Sequence, residues 1–203
     1  MSTVFYRPQA LETIARHTLC KYDENYLNRS PRAVPIEQMI EKTFCLRIEY
    51  QYLTNDAREL GRMIYDSGIT TYYNRDIMDY ALMRVDGGMM LIEASLLEDE
   101  KCYGRLCFTL AHELSHYIIH KRIFSGTGVA AALYDNDTDE DATEWQANYL
   151  AKANLMPNGQ IKRCFYAMHQ ERKTKKELIE KMAKTFEVSK QVMEIRLKEF
   201  ALL

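Results

Sequence analysis

Residues 112–116 read His-Glu-Leu-Ser-His, and this run limits the chain more than any other feature. Side chains four residues apart share a face on a helix. Cys107, Phe108, Leu110, Ala111, Leu114, Ile118 and Ile119 surround the motif with apolar groups, so a largely buried helix is expected from about Lys101 through His120. Two imidazoles and a carboxylate held in such a helix need partners, because unpaired polar burial is costly. The spacing offers one, since rings at i and i+4 can bind the same cation. Glu113, next to the first ring, is placed to reach a water on that cation and to take its proton.

His112 and His116 leave a catalytic zinc one protein ligand short. Cys20, Cys45, Cys102, Cys107 and Cys164 contain no C-x-x-C pair, which argues against a Cys-rich zinc module and against a disulfide framework. A carboxylate on another helix is the expected third ligand. Glu144 is followed at i+3, i+4, i+7 and i+11 by Ala147, Asn148, Ala151 and Leu155. That face is small and apolar apart from Asn148, so it can lie close against the His-Glu helix, and Glu144 is the choice. Glu140 and Asp141 fall where a loop enters the helix and are read as capping residues. Asn148 suits a hydrogen bond to a ligand or to the loop equally with a plain buried amide contact. His120 continues the 112, 116 series; it is read as a helix-ending imidazole, with a hydrogen bond near the site or ligation of the metal as the alternatives. His17 and His169 have no motif context.

Along the rest of the chain, Pro8 and the spacing of Leu11, Ile14, Ala15, Leu19, Tyr22 and Tyr26 predict a helix over about 8–26. Pro35 opens a short second helix. Leu46, Ile48, Tyr50 and Tyr52 alternate with polar residues as in a half-buried strand. Asp66-Ser67-Gly68 and Asp86-Gly87-Gly88 read as hairpin turns, so residues 46–93 are expected to form a small antiparallel sheet of four or five strands, packed through its tyrosines. A loop follows over 121–139, then a helix from near Glu140 that stops before Pro157-Asn158-Gly159, then helices near 160–172, 175–186 and 189–200. Helices, then strands, then helices indicate an α+β chain.

The formal net charge of −2 over 203 residues leaves no electrostatic footprint for nucleic acid or anionic lipid. No apolar stretch approaches a bilayer span and no leader peptide is evident, so a cytoplasmic location is expected.

The run Phe108-Thr-Leu-Ala-His-Glu-Leu-Ser-His, followed by Glu144-Trp-Gln-Ala-Asn-Tyr-Leu-Ala and Leu155-Met-Pro, resembles the ImmA/IrrE family of metallo-endopeptidases, whose pattern is F-T-L-A-H-E-L-G-H, E-x-x-A-N-x-F-A and L-M-P. The resemblance covers about residues 30–203. It implies a zincin-like core with zinc on His112, His116 and Glu144, and Glu113 as general base. Ser115, Tyr149 and Asn154 depart from the pattern, which has Gly, Phe and Leu there. The resemblance also implies a protein substrate, such as a helix-turn-helix repressor. The expected organisation is an amino-terminal helix over 1–30, a zincin-like core over 31–157 and a helix-turn-helix-like subdomain over 158–203. Its lysines and arginines are diluted by glutamates, against a DNA-binding role. Tyr103, Tyr134, Tyr149 and His120 are the candidates to stabilise an oxyanion, and an edge strand of the 46–93 sheet is a candidate holder of extended substrate. A metal-binding transcriptional regulator and an interaction module with structural zinc remain the alternatives to a protease.

Overall fold

Pro8, with no N–H to lose, sits at the first turn of α1 (Pro8–Tyr22), which buries Leu11, Ala15, Thr18 and Leu19. In the computed structural model, residues 5–124, 137–169 and 174–203 are described, apart from the side chains of 122–124 and 137–141. The expected helix over 8–26 ends early: the chain leaves α1 at Asp23 and makes a separate 3-10 turn at Tyr26–Asn28. There the Tyr26 hydroxyl donates to the Arg32 and Ala33 carbonyls. α2 (Ile36–Phe44) stops at Cys45, which takes a left-handed conformation with φ 54°.

Five strands follow: β1 (Arg47–Gln51), β2 (Gly61–Ile64), β3 (Gly68–Asn74), β4 (Asp79–Val85) and β5 (Met89–Glu93). They do not form one antiparallel sheet. β5 lies between β1 and β2, parallel to β1 and antiparallel to β2. β3 and β4 form a separate two-stranded hairpin. The two Gly-bearing turns therefore join strands that are not partners, and the true hairpin turn is the run between Asn74 and Asp79. β5 takes the centre because Met89, Met90, Leu91 and Ile92 are apolar on both faces, and all are buried. Glu93, buried at its end, accepts from Leu53 N and Ser95 N.

The remaining helices are α3 (Tyr103–Phe124), α4 (Asp137–Leu155), α5 (Asn158–His169), α6 (Lys175–Phe186) and α7 (Lys190–Glu199). α3 runs past His120 to Phe124, so that histidine does not end it. The fully buried Ala111, Ser115, Ala147 and Ala151 lie on α3 and α4, and side chains this small let two helix backbones approach closely. Ser115 donates to the Ala111 carbonyl, leaving no orphan hydroxyl in the contact. Thr174 and Glu177 form a capping box on α6, and Ser189 caps α7. Gly104 admits the turn between these two helices: a Cβ there would stand 2.9 Å from backbone atoms of Val188 and Ser189. Leu178, Met182, Phe186, Met193 and Leu197 share one apolar cluster with Leu110, Leu114, Met90 and Met39. Among the described residues no helix is long and apolar enough to cross a membrane.

Candidate metal centre

α3 and α4 run antiparallel, with His112 beside Asn148 and His116 beside Glu144. The i, i+4 spacing turns both rings to one face of α3, where the two Nε2 atoms stand 3.0 Å apart. Glu144 reaches across from α4. Its Oε1 is 3.0 Å from His116 Nε2 and its Oε2 is 3.3 Å from His112 Nε2. The His112 and His116 side chains retain 17% and 12% of their exposure and Glu144 46%, so the two rings are largely covered and Glu144 is the exposed member of the group.

These separations fit one cation. Tetrahedral zinc with arms of about 2.0–2.1 Å to nitrogen and oxygen requires donor–donor edges of about 3.3–3.4 Å, close to the observed 3.0 and 3.3 Å. His112, His116 and Glu144 offer one ligand atom each within 4.8 Å of one another, and they are the group of this kind among the described residues. Two imidazoles and a carboxylate suit zinc and other first-row divalent metals.

Each ring is also held from behind. An amide oxygen can only accept, so His112 Nδ1 carries the proton and donates to Asn148 Oδ1 at 3.1 Å. His116 Nδ1 stands 3.0 Å from Nδ1 of the fully buried His120. Burial, reinforced by His116, pushes His120 down to about 3. Burial alone would raise Glu144, but its hydrogen bonds to both rings win and hold it far below the usual carboxylate range. His112 shows the converse: burial works to lower it, while the bond to Glu144 and the charges of Glu113 and Glu144 raise it.

Glu113 is buried at 7% exposure on the next α3 position. Burial raises its pKa above the ordinary carboxylate value against the pull of His112 and His116. Edge strand β2 lies against it. A Cβ on Gly61 would stand 2.7 Å from Glu113 Cγ and Oε1 and 2.9 Å from Thr109 Cγ2. The Leu60 and Ile64 carbonyls accept from Glu93 N and Gly88 N on the β5 side. Alternation then turns the backbone groups of Gly61 and Met63 to the outer edge.

His112, His116 and Glu144 thus come together as the sequence reading places them, with Glu113 alongside and Asn148 on a ring nitrogen. Tyr149 points elsewhere, bonding Glu12 of α1. Tyr103 lies at the start of α3 and is half exposed. Tyr134 and most of the 121–139 loop lie outside the described residues, as do the side chains of Glu140 and Asp141, which fall within α4 rather than before it. Gly61 carries no expectation from the sequence, and Tyr65 is expected only as one of the packing tyrosines of the 46–93 sheet. Tyr65 follows β2 on the face that Gly61 and Met63 share, and burial, then the charges of Glu113 and Glu144, push its phenol far above its ordinary value. Period-two alternation through Gly61, Met63 and Tyr65 was the available signal.

The model of the Peptidase_M78 family, the IrrE N-terminal-like domain, matches residues 87–198. The chain belongs to this family. The match takes in both helices of the metal centre, so as a Peptidase_M78 member the chain is a metallopeptidase-like or IrrE-type protein with a group able to hold a metal. No curated protein matches it in sequence. Among solved structures it is similar to a Mycobacterium tuberculosis transcriptional regulator, at 13% identity and a TM-score of 0.48. That alignment covers 94% of this chain and 54% of the other, so the chain spans about half the length of that protein.

Proposed function

We propose that this Peptidase_M78 member is a zinc-dependent endopeptidase that cleaves a specific regulatory protein, a helix-turn-helix repressor being the favoured substrate class. The observation that carries the reading is the triangle of His112 Nε2, His116 Nε2 and Glu144 with Glu113 beside it. A site that only held metal would have no use for a buried carboxylate on the residue next to a ligand.

Zinc held by His112, His116 and Glu144 would supply Lewis-acid polarisation of the scissile carbonyl and a more acidic water. Glu113, with its proton affinity raised by burial, takes the proton of the attacking water and returns it to the leaving nitrogen. The outer edge of β2, at Gly61 and Met63, offers N–H and C=O groups to an extended segment, which would lie alongside Glu113 as an added strand. Asn148 orients the His112 ring from α4.

The test is incubation of the zinc-loaded protein with a panel of helix-turn-helix repressors, with fragments read by mass spectrometry. One discrete cut is expected. Glu113→Gln should retain zinc and abolish the cut, whereas Glu144→Ala should lose both. A Glu113→Gln protein that cuts as fast as the parent refutes the mechanism. If the parent binds zinc but leaves every repressor of the panel intact, that substrate class is wrong.

A further inference from the structure

Resting on the metal-site reading above, we propose that His120 is a positioning residue, which fixes the ring orientation and tautomer of His116 through an imidazole–imidazole hydrogen bond.

His116 points Nε2 into the triangle, 3.0 Å from His112 Nε2 and 3.0 Å from Glu144 Oε1. A ring that offers its Nε2 lone pair to a cation must keep its proton on Nδ1. That Nδ1 is 3.0 Å from His120 Nδ1. His116 is then the donor and His120 Nδ1 the acceptor, and His120, neutral, bears its own proton on Nε2. The two rings lie 5.2 Å apart between centroids and are tilted by 49°. Their backbones are locked one turn apart on α3, and His120 is fully buried. The acceptor therefore has little freedom to leave.

Nothing in the motif requires this arrangement. The His-Glu-x-x-His spacing fixes where the rings begin, not how they rotate about χ2. Rotation of His116 by half a turn would bring a different ring atom to the triangle. The other ligand meets the same need differently: His112 donates to Asn148 Oδ1, which α4 supplies. Both acceptors are uncharged, unlike the carboxylate that often backs a metal-bound imidazole. Neutral acceptors leave the ligand rings less basic, and a cation bound there more electrophilic, than carboxylate backing would. The ligand set itself then carries one negative charge, on Glu144.

The experiment titrates zinc against a chromophoric chelator for the parent, His120→Leu, His120→Asn and His116→Ala, with circular dichroism and a urea midpoint as the measure of folding. His120→Asn places a carbonyl oxygen near the lost Nδ1; His120→Leu fills the space without an acceptor. His120→Leu should bind zinc about 10- to 100-fold more weakly, and His120→Asn should recover most of that loss. The visible absorption of bound Co2+ should shift in His120→Leu and return towards the parent spectrum in His120→Asn. Parent-like zinc affinity in His120→Leu overturns the proposal. So does equal weakening in Leu and Asn variants, which would reduce the ring to packing. If the parent binds no zinc, or His116→Ala binds it unchanged, the metal site itself is refuted and this inference falls with it. That failure shows in the parent and His116→Ala, independently of position 120.

Discussion

Gly61 and Glu113 are in contact across the interface of β2 and α3, so close that a single added carbon on Gly61 would stand 2.7 Å from Glu113 Cγ. No other side chain fits there without displacing the carboxylate or Thr109. β2 thereby runs directly against Glu113, and its outer edge is the proposed seat of an extended substrate.

Gly61→Ala should therefore damage turnover and spare the metal. A displacement of about 1 Å in a catalytic group can lower rate by about 100-fold, so kcat/KM for repressor cleavage is expected to fall by about 10- to 100-fold while the zinc content stays at the parent level. Unchanged kcat/KM would show that Glu113 tolerates the displacement and that the contact has no catalytic meaning.

Among the described residues Arg196 is the largest fully buried side chain. It donates to Glu12 Oε1 at 2.7 Å, to Glu199 Oε2 at 3.1 Å and to the Met156 carbonyl, and it lies over the Tyr149 and Phe200 rings. It thus ties α1, the end of α4 and α7 together. Breaking a buried pair by removing one partner costs about 3–5 kcal/mol. Glu12 and Glu199 keep about a fifth of their exposure, which places Arg196→Ala near the lower end, about 3 kcal/mol by urea unfolding. Arg196→Lys should recover only part of this, because an ammonium cannot span both carboxylates as a planar guanidinium does. A loss below about 1 kcal/mol for Arg196→Ala would mean that the cluster contributes nothing net.

Burial raises the Tyr26 phenol to about 12, above its ordinary value near 10. The folded state therefore favours the neutral phenol. That contribution is complete below about pH 10 and is lost as pH rises from 10 to 12, where the unfolded chain ionises first. Stability measured by denaturant should fall across this window, and Tyr26→Phe, although less stable at pH 8 for want of the bonds to Arg32 and Ala33, should fall less steeply. An identical alkaline slope in parent and variant would refute the assignment.

The sequence exposed the centre because most of it is local. His112, Glu113 and His116 lie within two turns of one helix, so helical spacing alone sets their relation. Glu144 was legible through its neighbours: Ala147 and Ala151 mark the face that must lie close to another helix. The sheet was less legible. Asp66-Ser67-Gly68 and Asp86-Gly87-Gly88 announce reversals, but a turn does not name the partner of the strand it starts, and the parallel pairing of β1 with β5 joins segments with three strands between them. Gly61 could be placed on one face of β2 by its alternation with Met63 and Tyr65, but not against a partner. Its value lies in a contact with α3 that no local pattern encodes. His120 was misassigned because α3 continues a turn beyond it, and Asn148 was left between roles because its partner sits on another helix.

The account stands on three side chains gripping one ion. Zinc K-edge X-ray absorption on the stoichiometrically loaded protein measures that shell directly. It should show four nitrogen or oxygen scatterers at about 2.0–2.1 Å, with the outer-shell signature of two imidazoles in the parent and of one imidazole in His116→Ala. A sulfur scatterer at about 2.3 Å, or an imidazole signal that His116→Ala leaves intact, would contradict it.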